Sequence, residues 1–539
     1  MRFVQSDSEL CSSESGFQIA GPKNPSGKLD FNAKKPITMR LYHFLFALCL
    51  LLTSGFCAAQ FDGFALYNGA NSYTSYLIDE NGNIAHSWSC NVTCNYTVLL
   101  KPNGNIIRGG VYTGNQINVP AVGGLVQEID PSGNVVWEFQ YSDANHVSHH
   151  DLAIMPNGNV LLLALEKKTS SELIAAGYTK SANFKYPSQI IEVQQNGTGG
   201  QIVWQWNIWD HLIQDADSTK ANYGVIADHP ELLDINVAIN GTPMGGDWFH
   251  ENGIDYNEDL DQIAFSARYL SEIFIIDHSV TTLEAAGHTG GNGGKGGDFL
   301  YRWGNPFNYD MTFGLQNIFA AVHDVKWVKE GCPNEGYLQF FNNQGNTGGS
   351  SKVDAINPPL TGFNYTFTPN SGYGPVTYDW RHNCLTSATG QSASDRLPNG
   401  DVFATVSGQY MYEVDSSNNL VWQYASGPMQ AQRYTCDYPG IDSLFNGSKP
   451  CTTIVSRAVS QSGDIRIYPN PSTGRFFIAG LENMEGEFSL QIADVFGREL
   501  HSFSNVSEFD ISDMPPGIYV ATILLNGVAG DTRRISLAM

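Results

Sequence analysis

Between residues 61 and 430 short apolar runs and polar turns recur in a fixed order. A strand leads through an Asp-x-x-Gly-Asn type of turn into a strand ending in tryptophan, and Pro-Asn-Gly-(Asn/Asp) then opens another apolar strand. The unit runs from Tyr76 through Asp79-Glu-Asn-Gly-Asn83 to Trp88, followed by Lys101-Pro-Asn-Gly-Asn105. It returns from Val126 to Trp137 with Met155-Pro-Asn-Gly-Asn159, repeats its first half from Ile190 to Trp204, and reappears with its halves reversed between Arg396 and Trp422. Short runs joined by Asn-Gly turns predict antiparallel hairpins, because those residues supply the positive φ that tight turns need. Units of this size cannot bury their faces alone and must stack. A circular array permits the reversed order, so the pattern predicts an all-β fold, a β-propeller of about six blades, over 60–430. A β-solenoid or tandem sandwiches is the competing arrangement.

A second unit follows a variable linker at 431–462. Ile465-Arg-Ile-Tyr-Pro-Asn-Pro-Ser-Thr-Gly-Arg-Phe, Ile492-Ala-Asp-Val-Phe-Gly-Arg and Met514-Pro-Pro-Gly-Ile-Tyr-Val alternate over about 75 residues and predict a small β-sandwich at 463–539. This segment resembles the C-terminal sorting domain of the Bacteroidetes type IX secretion system. Arg533 and Arg534 stand where that family carries a basic residue near its last strand. The resemblance implies the type IX machinery as a partner and removal of the domain on passage across the outer membrane.

At the other end, Met39-Arg-Leu-Tyr-His leads into the apolar run Phe44–Leu52 and the small residues before Gln60. It reads as a cleavable signal peptide at 39–59, too short for a membrane span. Residues 1–38 carry no pattern and read as a non-native upstream extension. The protein is expected to be secreted or held at the cell surface by way of the periplasm. Cleavage would leave Cys90, Cys94, Cys332, Cys384, Cys436 and Cys451, an even set that favours disulfides over metal in a secreted chain. Cys90 with Cys94, and Cys436 with Cys451, could each close a small loop.

A formal net charge of -24 argues against a nucleic-acid partner. Candidate chemistry lies in Asp247-Trp-Phe-His-Glu-Asn-Gly-Ile-Asp-Tyr256 and in the segment ending at Arg268. His250 and Asn252, two apart on a strand, would share a face, and Arg268 would end the partner strand; together they suit an oxyanion. Val147-Ser-His-His-Asp151, Ala321-Val-His-Asp324 and Ser392-Ala-Ser-Asp395 precede apolar strands at corresponding places, so a propeller would bring them to one channel mouth. The glycine-rich loop Gly290–Gly297 with Lys295 lacks the Gly-Lys-Ser/Thr ending of a nucleotide loop.

The motifs of 61–430 taken together resemble the bacterial arylsulfate sulfotransferases. These are His-His-Asp with Pro-Asn-Gly-Asn, Asp-Trp-x-His-x-Asn-x-Ile-x-Tyr with Ser-x-Arg, Gly294-Lys-Gly-Gly-Asp-Phe-Leu-Tyr-Arg-Trp-Gly-Asn-Pro306, and His-Asp with Phe-Asn-Asn. Where relatives read Gln-His-Asp, Val322 precedes His323. The resemblance implies that His323 is the nucleophile carrying the sulfuryl group, with His150, His250, Asn252 and Arg268 around the sulfate. His150 is preferred over His149 because it directly precedes Asp151. The implied reaction moves a sulfuryl group from an aryl sulfate donor to a phenolic acceptor with no nucleotide sulfate donor, no cofactor and no metal. A noncatalytic adhesion or glycan-binding propeller, or an aryl sulfate hydrolase, remains the alternative.

Overall fold

A computed structural model of the protein describes residues 63–445 and 466–537, apart from 70, 312–315, 317, 319, 346–347, 469, 471, 480–487, 494–497 and 526–527. The expected signal peptide and upstream extension lie outside the described residues. Among those described, six four-stranded antiparallel sheets follow one another along the chain, before the sheets of the C-terminal unit. From the second sheet onward each opens on its innermost strand and adds the others outward, as in Glu251–Asn257, Gln262–Ala267, Glu272–Asp277 and Tyr301–Trp303. The innermost strands touch in a cycle: Cys94–Leu100, His146–Ile154, Glu251–Asn257, His323–Trp327, Ala393–Arg396 and Ala431–Thr435, which returns to the first. The fold is a β-propeller.

The first sheet is built from both ends of this region. Gly63–Asn68, Thr74–Ile78 and Ile84–Ser89 take Ala431–Thr435 as their innermost strand, with Phe64 opposite Tyr434 and Leu66 opposite Gln432. Residues 431–435, read as linker from the sequence, thus pair within the ring, and the helix Pro439–Phe445 follows.

The periodicity of each strand reflects its place in a blade. Middle strands such as Val160–Glu166 and Val402–Val406 are almost wholly buried, because neighbouring blades cover both faces. Outer strands such as Val135–Gln140 expose most of their residues. The recurring turn has a local cause: Asp79, Asp130 and Asp415 each accept backbone N–H groups two and four residues on and the side-chain amide of the closing Asn. The recurring tryptophan ties blade to blade. Trp137 Nε1 donates to Gly199 O (2.7 Å) on a strand of the next blade, and Trp204 to Val280 O (2.8 Å) and Trp422 to Glu80 O (2.8 Å) on connecting segments of the next blade.

A second set of ties runs around the axis. Asp151 accepts the N–H of Ile254, Asp255 that of Trp327, Asp324 that of Ser394 and Asp395 that of Arg433, at 2.8–3.3 Å. Each carboxylate thus reaches the next innermost strand, in hydrogen bonds strengthened by its charge. Between them lies Lys326, whose Nζ is 3.2 Å from Asp324 and 3.1 Å from Asp395. Burial works against this ammonium, but the two carboxylates outweigh it and hold it charged. Burial pushes Asp324 up to about 7, whereas Lys326 holds Asp395 below the usual carboxylate range despite its burial.

In the C-terminal unit, a sheet of Arg466–Tyr468, Arg475–Ala479 and Glu508–Asp510 and one of Glu499–Ser504, Phe488–Ala493, Gly517–Leu525 and Val528–Leu537 share one core. Phe476, Ile478 and Phe509 of the first meet Leu490, Ile492 and Ile523 of the second there. The expected Cys90–Cys94 bridge is not formed: both are free thiols, as are Cys332 and Cys384. Cys94 donates instead to Gly69 O at 3.1 Å. Cys451, the expected partner of Cys436, lies outside the described residues. No helix among the described residues is long and apolar enough to cross a membrane.

Candidate active site

Three consecutive innermost strands break their pairing at the same end of the axis. The register slips between Ser148 and Leu152, between Glu251 and Gly253, and between His323 and Lys326. At or beside each slip one residue takes the left-handed backbone: His150 (φ 47), His250 (φ 60) and Asp324 (φ 56). These are β-bulges, which re-aim side chains and suspend strict alternation. His149 and His150, expected to face opposite ways, are therefore both buried, with their Nδ1 atoms 2.7 Å apart. Likewise the two-residue spacing does not align His250 with Asn252. His250 Nδ1 lies 2.6 Å from Asp247 Oδ2, while Asn252 donates to Val322 O (2.7 Å) and accepts from Ser266 Oγ (2.7 Å).

The bulges bring distant residues together. The rings of His150 and His250 meet edge to face at 4.5 Å, flanked by Tyr96 and Tyr269. Arg268 N–H donates to His250 O (3.0 Å), so the hairpin continues past its last regular pair and carries the guanidinium to this end. Arg268 Nη2 donates to Thr389 O (3.1 Å). Two residues on, the Gln391 N–H donates to His323 Nε2 (3.0 Å). His323 Nδ1 lies 2.7 Å from Asn343 Oδ1, whose amide nitrogen donates to Ala388 O and Gln391 O. Both amide hydrogens being spent, Oδ1 must face the ring, so Nδ1 carries the proton and Nε2 the lone pair.

Burial is nearly complete: His150 and His250 are 2% exposed and His323 1%. Burial, with the neighbouring His250 and Arg268, pushes His323 well below the usual imidazole range; burial and the charges of His250, His149, His323 and Arg268 do the same to His150. His150, His250, His323 and Arg268, four of the five residues expected to act on the sulfuryl group, thus lie within one another's fields. The Nε2 atoms of His150 and His250 are buried and make no hydrogen bond within the protein. Glu251, next in the chain, is buried beside Ser188 and is pushed up to about 7 by burial.

Sequence reasoning passed over Asp247, Asn343 and Gln391. The first two stood inside quoted motifs, three before His250 and last in Phe-Asn-Asn; nothing in the sequence marks Gln391. Other motif residues have structural partners. Arg302 of the Tyr-Arg-Trp segment is wholly buried and grips Glu272 with two hydrogen bonds, at 2.9 and 2.8 Å. The Val322 side chain packs in the core while its carbonyl receives Asn252. The Gly-rich loop packs against Asp277, which accepts the Gly293 N–H.

A propeller with imidazoles and a guanidinium gathered at one end of its axis has the makings of a group-transfer enzyme acting on an oxyanion. The model of the Arylsulfotransferase (ASST) family matches residues 58–357, and the chain belongs to that family, whose activity is aryl sulfotransfer. A second family, the Secretion system C-terminal sorting domain, matches residues 466–534, and the protein is exported to the cell surface or beyond. No curated protein sequence matches the chain. Solved structures are similar only loosely. The periplasmic gluconolactonase of Pseudomonas aeruginosa shares 10% identity over 88% of this chain and 99% of its own, with a TM-score of 0.33. A putative 6-phosphogluconolactonase of Bacteroides fragilis shares 10% over 69% and 98%, also with a TM-score of 0.33. BamB of Moraxella catarrhalis shares 9% over 77% and 78%, with a TM-score of 0.28.

Proposed function

We propose that the protein transfers a sulfuryl group from an aryl sulfate to a phenol by a two-step route through His323. The tautomer of His323 carries this reading: Asn343 fixes the proton on Nδ1, and burial beside Arg268 keeps the ring neutral, leaving a lone pair on Nε2. Nε2 attacks sulfur, the S–O bond to the aryl group breaks, and the sulfuryl group remains on nitrogen as a sulfohistidine. The Gln391 N–H that now sits on Nε2 must give way to the incoming sulfur.

His250, oriented by Asp247, gives the proton of its Nε2 to the departing phenoxide and takes one from the acceptor phenol in the second step. The carboxylate stabilises the imidazolium present before the first step and re-formed in the second, as in other Asp–His pairs; between the steps the ring is neutral. His150, held neutral by its surroundings, and Arg268 offer N–H groups to the nonbridging sulfuryl oxygens, where fixed donors are worth most. Asn252 acts on this site through Val322, whose carbonyl it holds next to His323.

The test is nitrophenolate release from 4-nitrophenyl sulfate, with and without phenol, by the protein and by His323→Ala. Release that requires phenol and disappears in the variant is expected, together with an adduct of about 80 Da on His323, the mass of a sulfuryl group on a covalent nucleophile. Release indifferent to phenol would make the enzyme a hydrolase. Full activity in His323→Ala would remove the nucleophile from this account.

A further inference from the structure

The innermost strands that start at the histidines end in a second polar site. His323 opens the strand that Trp327 closes, and Ala393–Arg396 runs beside it to Arg396. Four residues of strand span about 13 Å, so the two ends are well separated. At the Trp327 end lies a cavity of about 210 Å³ whose lining includes Lys326, Trp327, Lys329, Arg396, Tyr434 and Tyr438.

Arg396 is 9% exposed, and its Nε and Nη2 are buried with no hydrogen-bond partner. Its guanidinium stacks on Trp380 at 3.8 Å, and no carboxylate pairs with it among the described residues. Burial pulls it down to about 10, a large displacement for a guanidinium. The neighbouring carboxylate, Asp395, is already engaged by Lys326 and the Arg433 N–H. Two other buried arginines do have carboxylates, Arg302 with Glu272 and Arg433 with Glu413, whereas Arg108, also wholly buried, donates to Val92 O instead. An unpaired buried cation is costly, and an anion is the partner that relieves the cost. Lys329 and Glu330, both exposed, line the same cavity with Lys326, Arg433 and Asp395, so its cations outnumber its carboxylates four to two in a chain that is strongly acidic. The volume is below the roughly 300–1,000 Å³ of pockets for drug-sized ligands, which suits a single-ring molecule.

We propose that this cavity binds a small aromatic anion, such as an aryl sulfonate, sulfate or carboxylate, with Arg396 and Lys329 on the anionic group and Trp327, Tyr434 and Tyr438 on the ring. The site is separate from the sulfuryl-transfer site and does not depend on the mechanism assigned there.

Benzenesulfonate, which has no transferable sulfuryl group, is the probe, and titration calorimetry on the full chain is the measurement. Arg396→Met is expected to weaken one saturable binding event by at least about tenfold, as befits a lost charge-assisted pair. Arg268→Met should leave that event unchanged, which separates it from binding at the histidines. Should Arg396→Met fail to fold, Lys329→Met, at an exposed position, is expected to weaken the same event severalfold. Benzenesulfonate should bind more tightly than inorganic sulfate; equal affinities would overturn the aromatic part of the assignment. Absence of saturable binding, or binding unchanged in both cavity variants, would overturn the site.

Discussion

Two sets of buried polar residues lie along the same innermost strands, and they are satisfied in opposite ways. Around the axis, Asp151, Asp255, Asp324 and Asp395 each hold a backbone N–H of the next strand, and Lys326 sits among the carboxylates. At the strand starts, His150 and His250 spend Nδ1 on a neighbour and leave Nε2 with no partner in the protein. Buried polar groups are normally hydrogen-bonded, so a cluster of exceptions marks the groups reserved for something else. The first set holds the ring together, and the second keeps its Nε2 atoms without a partner in the protein. At His150-Asp151 histidine and aspartate stand side by side, so adjacent letters fall into different sets.

The division predicts that substitutions in the two sets fail differently. Lys326→Met should be the most damaging to the fold, by about 3–5 kcal/mol, because it strands buried carboxylates; chemical denaturation measures this, and a midpoint near that of the unaltered protein would dissolve the distinction. His250→Ala should weigh the other way, cutting kcat by about 10²–10⁴ with a smaller loss of stability than Lys326→Met, from the one buried carboxylate, Asp247, that it leaves unpaired. Its effect should be larger for aryl sulfates with poorly departing phenoxides than for 4-nitrophenyl sulfate. Asn343→Ala sharpens the picture at His323: loss of ring orientation should cost about 10- to 100-fold in kcat with little change in KM.

The pH dependence of stability follows from burial. His149 is held down to about 4 and His323 well below the usual imidazole range, so between about 6.5 and those values the unfolded chain binds protons the native protein does not. The histidine contribution to stability is therefore present above about pH 6.5 and is lost as pH falls toward the folded values. Glu251, raised to about 7, acts in the opposite sense: the native protein holds its proton longer, and its contribution falls as pH rises from about 4.5 to 7. Unfolding midpoints at pH 7 and pH 5 should converge in His149→Leu relative to the unaltered protein. The smallest effect is expected at the blade ties, where Trp137→Phe removes one hydrogen bond to Gly199, about 1 kcal/mol.

The propeller was legible in the sequence because its repeat is local: the Asp turn, the tryptophan and the Pro-Asn-Gly hairpin each arise within a few residues. The ring closure was legible only as a reversed order of halves, and its last strand, Ala431–Thr435, was missed because a five-residue run outside any repeat looks like linker. Of the site, the residues that carry chemistry stood in recognisable motifs. Their orientation did not, because it depends on bulges, and a single left-handed residue at His150 or His250 undoes the even–odd rule on which strand reasoning rests. Gln391 was invisible for another reason: it acts through its backbone N–H, which any residue would supply.

The pairing of Gly63–Asn68 with Ala431–Thr435 bears on when the protein can fold. The three strands Gly63–Ser89 lack their innermost partner until some 345 further residues have been made, so the ring cannot close on a partial chain. For an exported protein that delay is useful, since an open chain is what a narrow translocation channel accepts. The sorting domain follows the closing strand in sequence, so this sorting signal is synthesised only after the last residue needed to finish the ring.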